Sequence, residues 1–372
     1  MTNIYQIIEK YKPEIIKSFT TLEALAEPSF QEFKTTQFII DELSKTGISN
    51  FTNLSTGCFG TLDFNKDSTV AIRADIDALP YNDEKTIYRH LCGHHFHAAA
   101  LLETIKIIVR ENLQLNSNFR FIFQPAEERV SGAEFIIKNG GMKNVTEIYG
   151  LHVDPELYVG EIYVEKGAVM AGARHFSITM SGKSTHAAYP HLGADPIVAS
   201  ANFIQTAQAI VSRMVDPLKS AVVTFGSITG GSAHNIIPES VTIKGTFRFL
   251  EEENSRLIET KLKHILSGID QSFGTSSTIN IDKGTYPVLN DEKVSQKLKS
   301  ILKGEKFRFI RNPHLSMGGE DFCFYGKLAP SLFIKFGTRT NDKIIPIHNK
   351  DFCVPIEPLF DAIYMWIKIL TF

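Results

Sequence analysis

The stretch Arg89-His90-Leu91-Cys92-Gly93-His94-His95-Phe96-His97 constrains this chain more than any other. It holds four of the chain's 12 histidines and one of its 4 cysteines. Imidazole and thiolate are ligands for zinc and its neighbours among the divalent metals. No second Cys/His pair stands at zinc-finger spacing from it. If the run holds metal, the other ligands come from distant parts of the chain, and the fold must bring them back to it. For the run alone, the alternative is a His-rich surface turn.

With 372 residues, the chain has length for two domains and a large core. Hydrophobic residues make up 43% and charged residues 22%, the balance of an ordinary globular protein. A net charge of −2 without a basic tract argues against nucleic acid or an anionic membrane as partner. No apolar run approaches the length that crosses a bilayer. Met1-Thr2-Asn3-Ile4-Tyr5 lacks a basic stretch followed by an apolar one, so no secretory leader is expected. Cys58, Cys92, Cys323 and Cys353 are scattered without disulfide-like spacing. Reduced thiols and a cytoplasmic location are the expectation.

Taken in order, residues 4–18 read as an amphipathic helix. Ser29-x-x-Glu32 has the form of a capping box before a second helix. Strands follow at about 59–64 and 68–73, the second an apolar run of the buried kind. It leads into Arg73-Ala74-Asp75-Ile76-Asp77-Ala78-Leu79-Pro80. Two acids spaced by one residue, just past a buried strand, sit where α/β sheets carry their chemistry. A solvated loop is the competing reading. A helix is predicted over 98–110, with the Cys/His run at its N-terminal mouth. The strand 118–124 runs into Pro125-Ala126-Glu127-Glu128. One of two such glutamates can ligate a metal while its neighbour acts as general base; an exposed acidic turn is the alternative. A capping box, Ser131-x-x-Glu134, precedes another helix, and the strand 147–153 carries His152 at its end.

From about Arg174 the predicted order is β-α-β-β-α-β, with strands at 175–181, 221–228, 240–250 and 277–282 and helices at 196–214 and 252–269. This is the split βαβ, or ferredoxin-like, arrangement. The earlier alternation then resumes, with helices over 292–302 and 358–370 and strands near 307–310 and at 331–336. The expected fold is therefore α/β with two domains. Residues 1–172 and 285–372 form a mixed α/β domain in two segments, and residues 173–284 form an inserted ferredoxin-like α+β domain.

The ordered motifs resemble a known family. They are Arg-Ala-Asp-Ile-Asp-Ala-Leu-Pro, Cys92-Gly93-His94, Gln124-Pro125-Ala126-Glu127-Glu128, Gly150-Leu151-His152-Val153 and His186-Ala187-Ala188-Tyr189-Pro190. Gly231-Ser232-Ala233-His234-Asn235-Ile236-Ile237-Pro238, Gly318-Gly319-Glu320-Asp321-Phe322 and His348-Asn349-Lys350-Asp351-Phe352 complete the set. The resemblance is to the amidohydrolase branch of the aminoacylase/carboxypeptidase family of di-metal hydrolases. That branch includes hippurate hydrolases, indole-acetyl-amino-acid hydrolases and N-acetyl-diaminopimelate deacetylases. It runs over nearly the whole chain.

The resemblance implies a metal-dependent amidohydrolase that cleaves an N-acyl amino acid with metal-activated hydroxide. The cofactors it implies are two divalent ions (zinc, manganese, cobalt or nickel). Cys92, His94, Glu128, His152 and His348 are the implied metal ligands. Glu127 is the implied general base, and His186 and Asp77 stand with it as catalytic candidates. Asn235 and Arg248 are the implied substrate contacts. The inserted domain then acts as a closing lid, and by analogy with relatives it carries a homodimer contact. The expected partner is a small molecule, an N-acyl amino acid or short peptide. A carboxypeptidase or dipeptidase on the same scaffold, and a catalytically weak binding protein, are the rival readings.

Three features depart from the family pattern. His95 stands where the family has Asp, so it either replaces that residue's hydrogen bond, joins the metal as a further ligand, or weakens the site. The stretch from Pro80 to Cys92 is short, and Ala24-Leu25-Ala26-Glu27-Pro28 replaces the usual His-x-x-Pro-Glu. Cys58, Cys323 and Cys353 read as packed thiols. His90, His97, His191, His234, His264 and His314 read as surface or satisfied histidines.

Overall fold

Thr69–Asp75 is buried at every position, which is why its sequence is a continuous apolar run rather than an alternating one. It pairs in parallel with Asn118–Gln124 on one side and Glu147–Tyr158 on the other, and Ser331–Arg339 lies parallel to Glu147–Tyr158. The eight-stranded sheet runs, by first residue of each strand, in the order 51, 58, 118, 69, 147, 331, 161, 308. This computed structural model describes residues 3–311 and 314–372. The fold is mixed α/β around a mostly parallel central sheet. Strands 118–124 and 147–158 follow 69–75 in sequence but flank it on opposite sides. In an open α/β sheet such a reversal leaves a crevice beyond the carboxyl ends of the strands, where ligands bind.

The helix His94–Arg110 packs on Thr69–Asp75 and is covered by the helices Ile4–Ala24 and Glu357–Thr371. Covered on all sides, it is buried from His94 to Ile108 and shows no solvent-exposed face over that span. It begins at His94 rather than Ala98, so the last histidines of the Cys/His run lie inside its first turn. Gly93 precedes it at φ +81°, and a Cβ there would come within 2.4 Å of Val153 Cγ2. Both the conformation and the close approach require glycine.

The contacts gather into two units, one of Met1–Val169, Leu289–His314 and Asp321–Phe372, the other of Met170–Val288 and Leu315–Glu320. In the second, four strands lie antiparallel in the order Ala221–Gly230, Ser240–Phe249, Gly172–Ser181, Ser276–Ile281. Numbered along the chain, that order is 2-3-1-4, a split βαβ. The helices Pro196–Ala209 and Glu252–Phe273 close its core, built on Phe176, Ile178, Phe203, Ile243, Phe247 and Leu262. Among the described residues, no helix is long and apolar enough to cross a membrane.

Both capping boxes are corrected. Ser131 Oγ donates to Arg129 C=O at 2.8 Å, and neither it nor Glu32 caps its helix through a side chain.

Candidate metal centre

The sheet delivers its polar residues at strand ends. Asp75 closes Thr69–Asp75, and Asp77 follows two residues on. Glu127 and Glu128 follow Asn118–Gln124 in a tight turn, Glu127–Arg129, bracketed by Ala126 at φ +53° and Val130 at φ +55°. A left-handed β-branched residue is strained, and such strain gathers at functional sites. His152 lies on Glu147–Tyr158. His348, itself at φ +67°, is tied by its N–H to Leu91 C=O at 2.7 Å, beside Cys92.

These side chains converge. Cys92 Sγ lies 3.3 Å from His152 Nε2 and 3.2 Å from His348 Nε2. Glu128 Oε1 is 3.6 Å from His348 Nε2 and 3.9 Å from His94 Nε2, and Glu127 Oε2 is 4.0 Å from the same His94 atom. All five predicted ligands and the predicted base therefore form one cluster. The triads Cys92/His94/His152, Cys92/Glu128/His348 and His94/Glu127/Glu128 each bring their ligand atoms within 4.8 Å of one another.

Two of the candidate imidazoles are oriented by hydrogen bonds on their far nitrogens. His94 Nδ1 faces Asp77 C=O at 2.9 Å and Asp77 Oδ1 at 3.1 Å, which leaves Nε2 for a metal. His152 Nδ1 donates to Val153 C=O at 2.8 Å, so its Nε2 lone pair faces Cys92. Asp77 is thus the buried partner of His94 and also accepts the Glu128 N–H at 3.1 Å. The structure gives it an orienting place, not one at the open face of the cluster.

Burial pushes His152 down to about 3, so it stands neutral, the form that ligates. For His94 burial also opposes charge, but the Asp75 and Asp77 carboxylates outweigh it and raise the ring to about 10. Glu128 is raised to about 7, first by burial, with His94 opposing and Asp77 adding to the rise. A cation relieves this crowding directly. His94 Nε2 and Glu128 Oε1 are buried with no hydrogen-bond partner. Orphaned polar atoms pointing into one cluster, with one sulfur, imidazoles and carboxylates as donors, fit borderline divalent metals. His348 is half-exposed, so the cluster opens to solvent on its side, as a catalytic site must.

A further triad, Asp75/His94/His97, is also close enough to hold an ion. It is not a separate metal site, because His97 has no free nitrogen. Its Nδ1 bonds Asp75 Oδ1 at 2.6 Å and its Nε2 accepts the Val153 N–H at 3.0 Å. Asp75 Oδ2 in turn takes Arg73 Nη1 at 2.6 Å. Arg73 continues to Gln124 Oε1 at 2.8 Å and Asp321 Oδ1 at 2.9 Å. This strut locks three strand ends around the cluster. Its core, Asp75 and His97, was the part that residue-by-residue reasoning undervalued. The signal was present in the paired acids Asp75 and Asp77 and in the i, i+3 spacing of His94 and His97.

His90 and His95 do not join the cluster. One step along the helix turns His95 by about 100° from His94. Its ring stands 4.8 Å from Phe19 and 5.1 Å from His90. Burial pushes His90 down to about 3 and His95 well below the usual imidazole range. Of the three outcomes open for His95, the extra ligand is excluded by this placement.

The other predicted residues lie in the second unit. His186 and Asn235 are exposed and adjacent. Thr185–His186 pairs with Ile236–Ile237, and Ala187 N–H donates to Asn235 C=O at 3.0 Å. Arg248, half-buried on Ser240–Phe249, spends one Nη1 hydrogen on Met317 C=O at 2.9 Å.

Against known families, residues 71–371 match the model of peptidase family M20/M25/M40. The chain belongs to that family. As a member of M20/M25/M40 it is a hydrolase. It is 36% identical over 327 residues to N-acetyl-L-cysteine deacetylase of Bacillus subtilis, covering 85% of this chain and 78% of that protein. It is 35% identical to N-acetyldiaminopimelate deacetylase of Exiguobacterium sibiricum, covering 86% and 88% of the two chains. The Bacillus subtilis YXEP protein, a dinuclear metal-binding peptidase of the M20 family, superposes with a TM-score of 0.84 at 28% identity, covering 97% of this chain and 98% of that one.

Proposed function

We propose that this chain is a metal-dependent deacylase, hydrolysing the amide of a small N-acyl amino acid to a carboxylate and a free amino acid. The observation that carries the reading is the cluster itself. Five candidate ligand side chains from four separate stretches meet in one cluster, two of their atoms orphaned, with one further carboxylate, Glu127, beside them. A structural metal site has no use for that extra carboxylate, whereas a hydrolase needs a base. The names of the two deacetylase relatives point to the same substrate class.

In this reading Cys92, His94, Glu128, His152 and His348 hold two divalent ions. A bound pair supplies Lewis acidity to the scissile carbonyl and to the attacking water. Glu127 takes the proton from that water and passes it to the amide nitrogen as the C–N bond breaks, so the amine leaves neutral. Asp77 keeps His94 in the tautomer that presents Nε2 inward. The second unit serves as a lid, with His186 donating to the oxyanion and Asn235 and Arg248 contacting substrate. Support for this part is the ribbon that sets His186 and Asn235 side by side on an exposed edge. The four free cysteines agree with a reducing, cytoplasmic setting.

The test is a panel of N-acetyl, N-benzoyl and longer N-acyl amino acids with metal-loaded protein, and Glu127→Ala as the control. Release of free amino acid by wild type alone is the expected result. No hydrolysis of any panel member or dipeptide by the loaded wild type would remove the reading.

A further inference from the structure

Residues 25–32, between the first two helices, do more than connect them. Ser29 and Glu32 have capping-box spacing, yet both side chains are turned to the sheet's carboxyl edge. Ser29 Oγ donates to Asp77 Oδ2 at 2.7 Å. Glu32, which is 0% exposed, accepts the Ala126 N–H at 2.8 Å and the Phe30 N–H at 3.0 Å through Oε1. The backbone clamps the same place. Ala78 N–H donates to Glu27 C=O at 2.8 Å, and Pro28 bridges Ala78 in parallel.

These contacts end on the turn that presents Glu127 and Glu128. Glu32 takes the N–H of Ala126, a residue in the left-handed region. Asp77 Oδ2 takes the N–H of Glu128 while it receives the Ser29 hydroxyl. A strained turn keeps one geometry only where its surroundings over-determine it. Glu32 holds the residue before Glu127, and the Ser29–Asp77 pair holds the residue after it. The arrangement has a cost that a helix cap would not carry. Glu32 Oε2 is buried without a hydrogen-bond partner. A carboxyl group buried there to accept the Ala126 and Phe30 N–H groups, with its second oxygen unpaired, points to a demand made by the turn.

We propose that Ser29 and Glu32 are positioning residues, which fix the Glu127-Glu128 turn and Asp77 from the N-terminal segment. The inference rests on the reading of that turn as base and metal ligand. Glu32 and Ser29 touch neither substrate nor metal and act only through Ala126 and Asp77.

The test uses the full-length protein, loaded with zinc for kinetics and with cobalt(II) for spectroscopy. Glu32→Ala lowers kcat about tenfold to a hundredfold with KM changed less than about twofold. Glu32→Gln, whose amide oxygen still accepts the Ala126 N–H, recovers most of the loss. Two readouts do not depend on activity. The visible band of the cobalt protein shifts in Glu32→Ala and returns in Glu32→Gln, and amide exchange at residues 126–128 quickens in Glu32→Ala only. If wild type hydrolyses no N-acyl amino acid while these two shifts occur, the deacylase reading falls and the positioning role stands. If Glu32→Ala keeps the wild-type kcat, cobalt band and exchange, whatever its Tm, the positioning role is overturned. Should Glu32→Ala fail to fold, Ser29→Ala decides. A lower kcat with a shifted cobalt band supports the role, and wild-type values for both overturn it.

Discussion

The helix His94–Arg110 carries a buried polar cluster at each end, and the two are built differently. Toward its C-terminus, Lys106 is 1% exposed and its Nζ meets Glu103 Oε1 at 2.7 Å and Glu42 Oε2 at 2.8 Å. Ser18 Oγ adds a hydrogen bond to Glu103 Oε1 at 2.6 Å. The ammonium there pairs with both carboxylates, although Glu103 Oε2 has no hydrogen-bond partner. At the N-terminus, Asp75, Asp77, Glu127 and Glu128 crowd around His94, and two ligand atoms are left with no protein partner. A buried charge answered by its opposite is architecture. Buried donors aimed at one another and left unanswered mark a place for something the chain does not itself provide.

Substitutions at the two ends should therefore separate function from stability. The largest effect is at the open cluster. Glu127→Ala is expected to lower kcat by about 10²–10⁴-fold on an N-acyl amino acid, with metal content and unfolding midpoint unchanged. Product release assayed beside thermal unfolding checks both halves of the statement. At the paired cluster the pattern reverses. Lys106→Ala strands Glu103 in the interior and is expected to cost about 3–5 kcal/mol in urea unfolding, with activity per folded molecule retained. A lost activity with unchanged stability there would break the comparison.

The strut beside the open cluster gives a smaller effect. His97→Ala removes the link from Asp75 to the Val153 N–H and is expected to weaken metal binding about tenfold to a hundredfold, read by calorimetric titration. Unchanged affinity would reduce His97 to packing. The smallest effect is the pH dependence of Glu42. Burial raises its carboxyl, but hydrogen bonds from Lys106 and Lys45 outweigh that and hold it below its ordinary value of 4.5. A carboxyl depressed in the folded state adds stability that is present above its unfolded value and is lost as pH falls through the folded one. Wild type should thus exceed Glu42→Gln in stability at neutral pH, with the gap closing below about pH 4.5. A gap that widens on acidification would contradict this.

The architecture was legible because its signals are local. The uninterrupted apolar run of Thr69–Asp75 announces a strand covered on both faces, and the alternation of strands with helices announces a parallel sheet. The paired Glu127 and Glu128 stood out because they follow a buried strand, whereas the full set of candidate ligands came from the resemblance to the family. What the sequence could not show was the choice of partner across the fold. Ser29 and Glu32 obey a local capping rule, but the deeper contacts with Asp77 and Ala126 won. His95 stands in a ligand-rich run, yet helix geometry turns it toward Phe19 and His90. Asp77 stood as a catalytic candidate, and the sequence did not show that its carboxylate bonds Ser29, His94 and the Glu128 N–H. For Ser29 and Glu32, a long-range hydrogen bond overrode a short-range pattern.

The central claim is that the unanswered cluster would hold a pair of divalent ions, with Cys92 among the ligands. Elemental analysis of protein purified without chelator, for wild type and Cys92→Ala, tests it most directly. The account predicts about two divalent ions per wild-type chain and a clear fall in the variant. No metal in wild type, even after loading with zinc, manganese, cobalt or nickel, would contradict it.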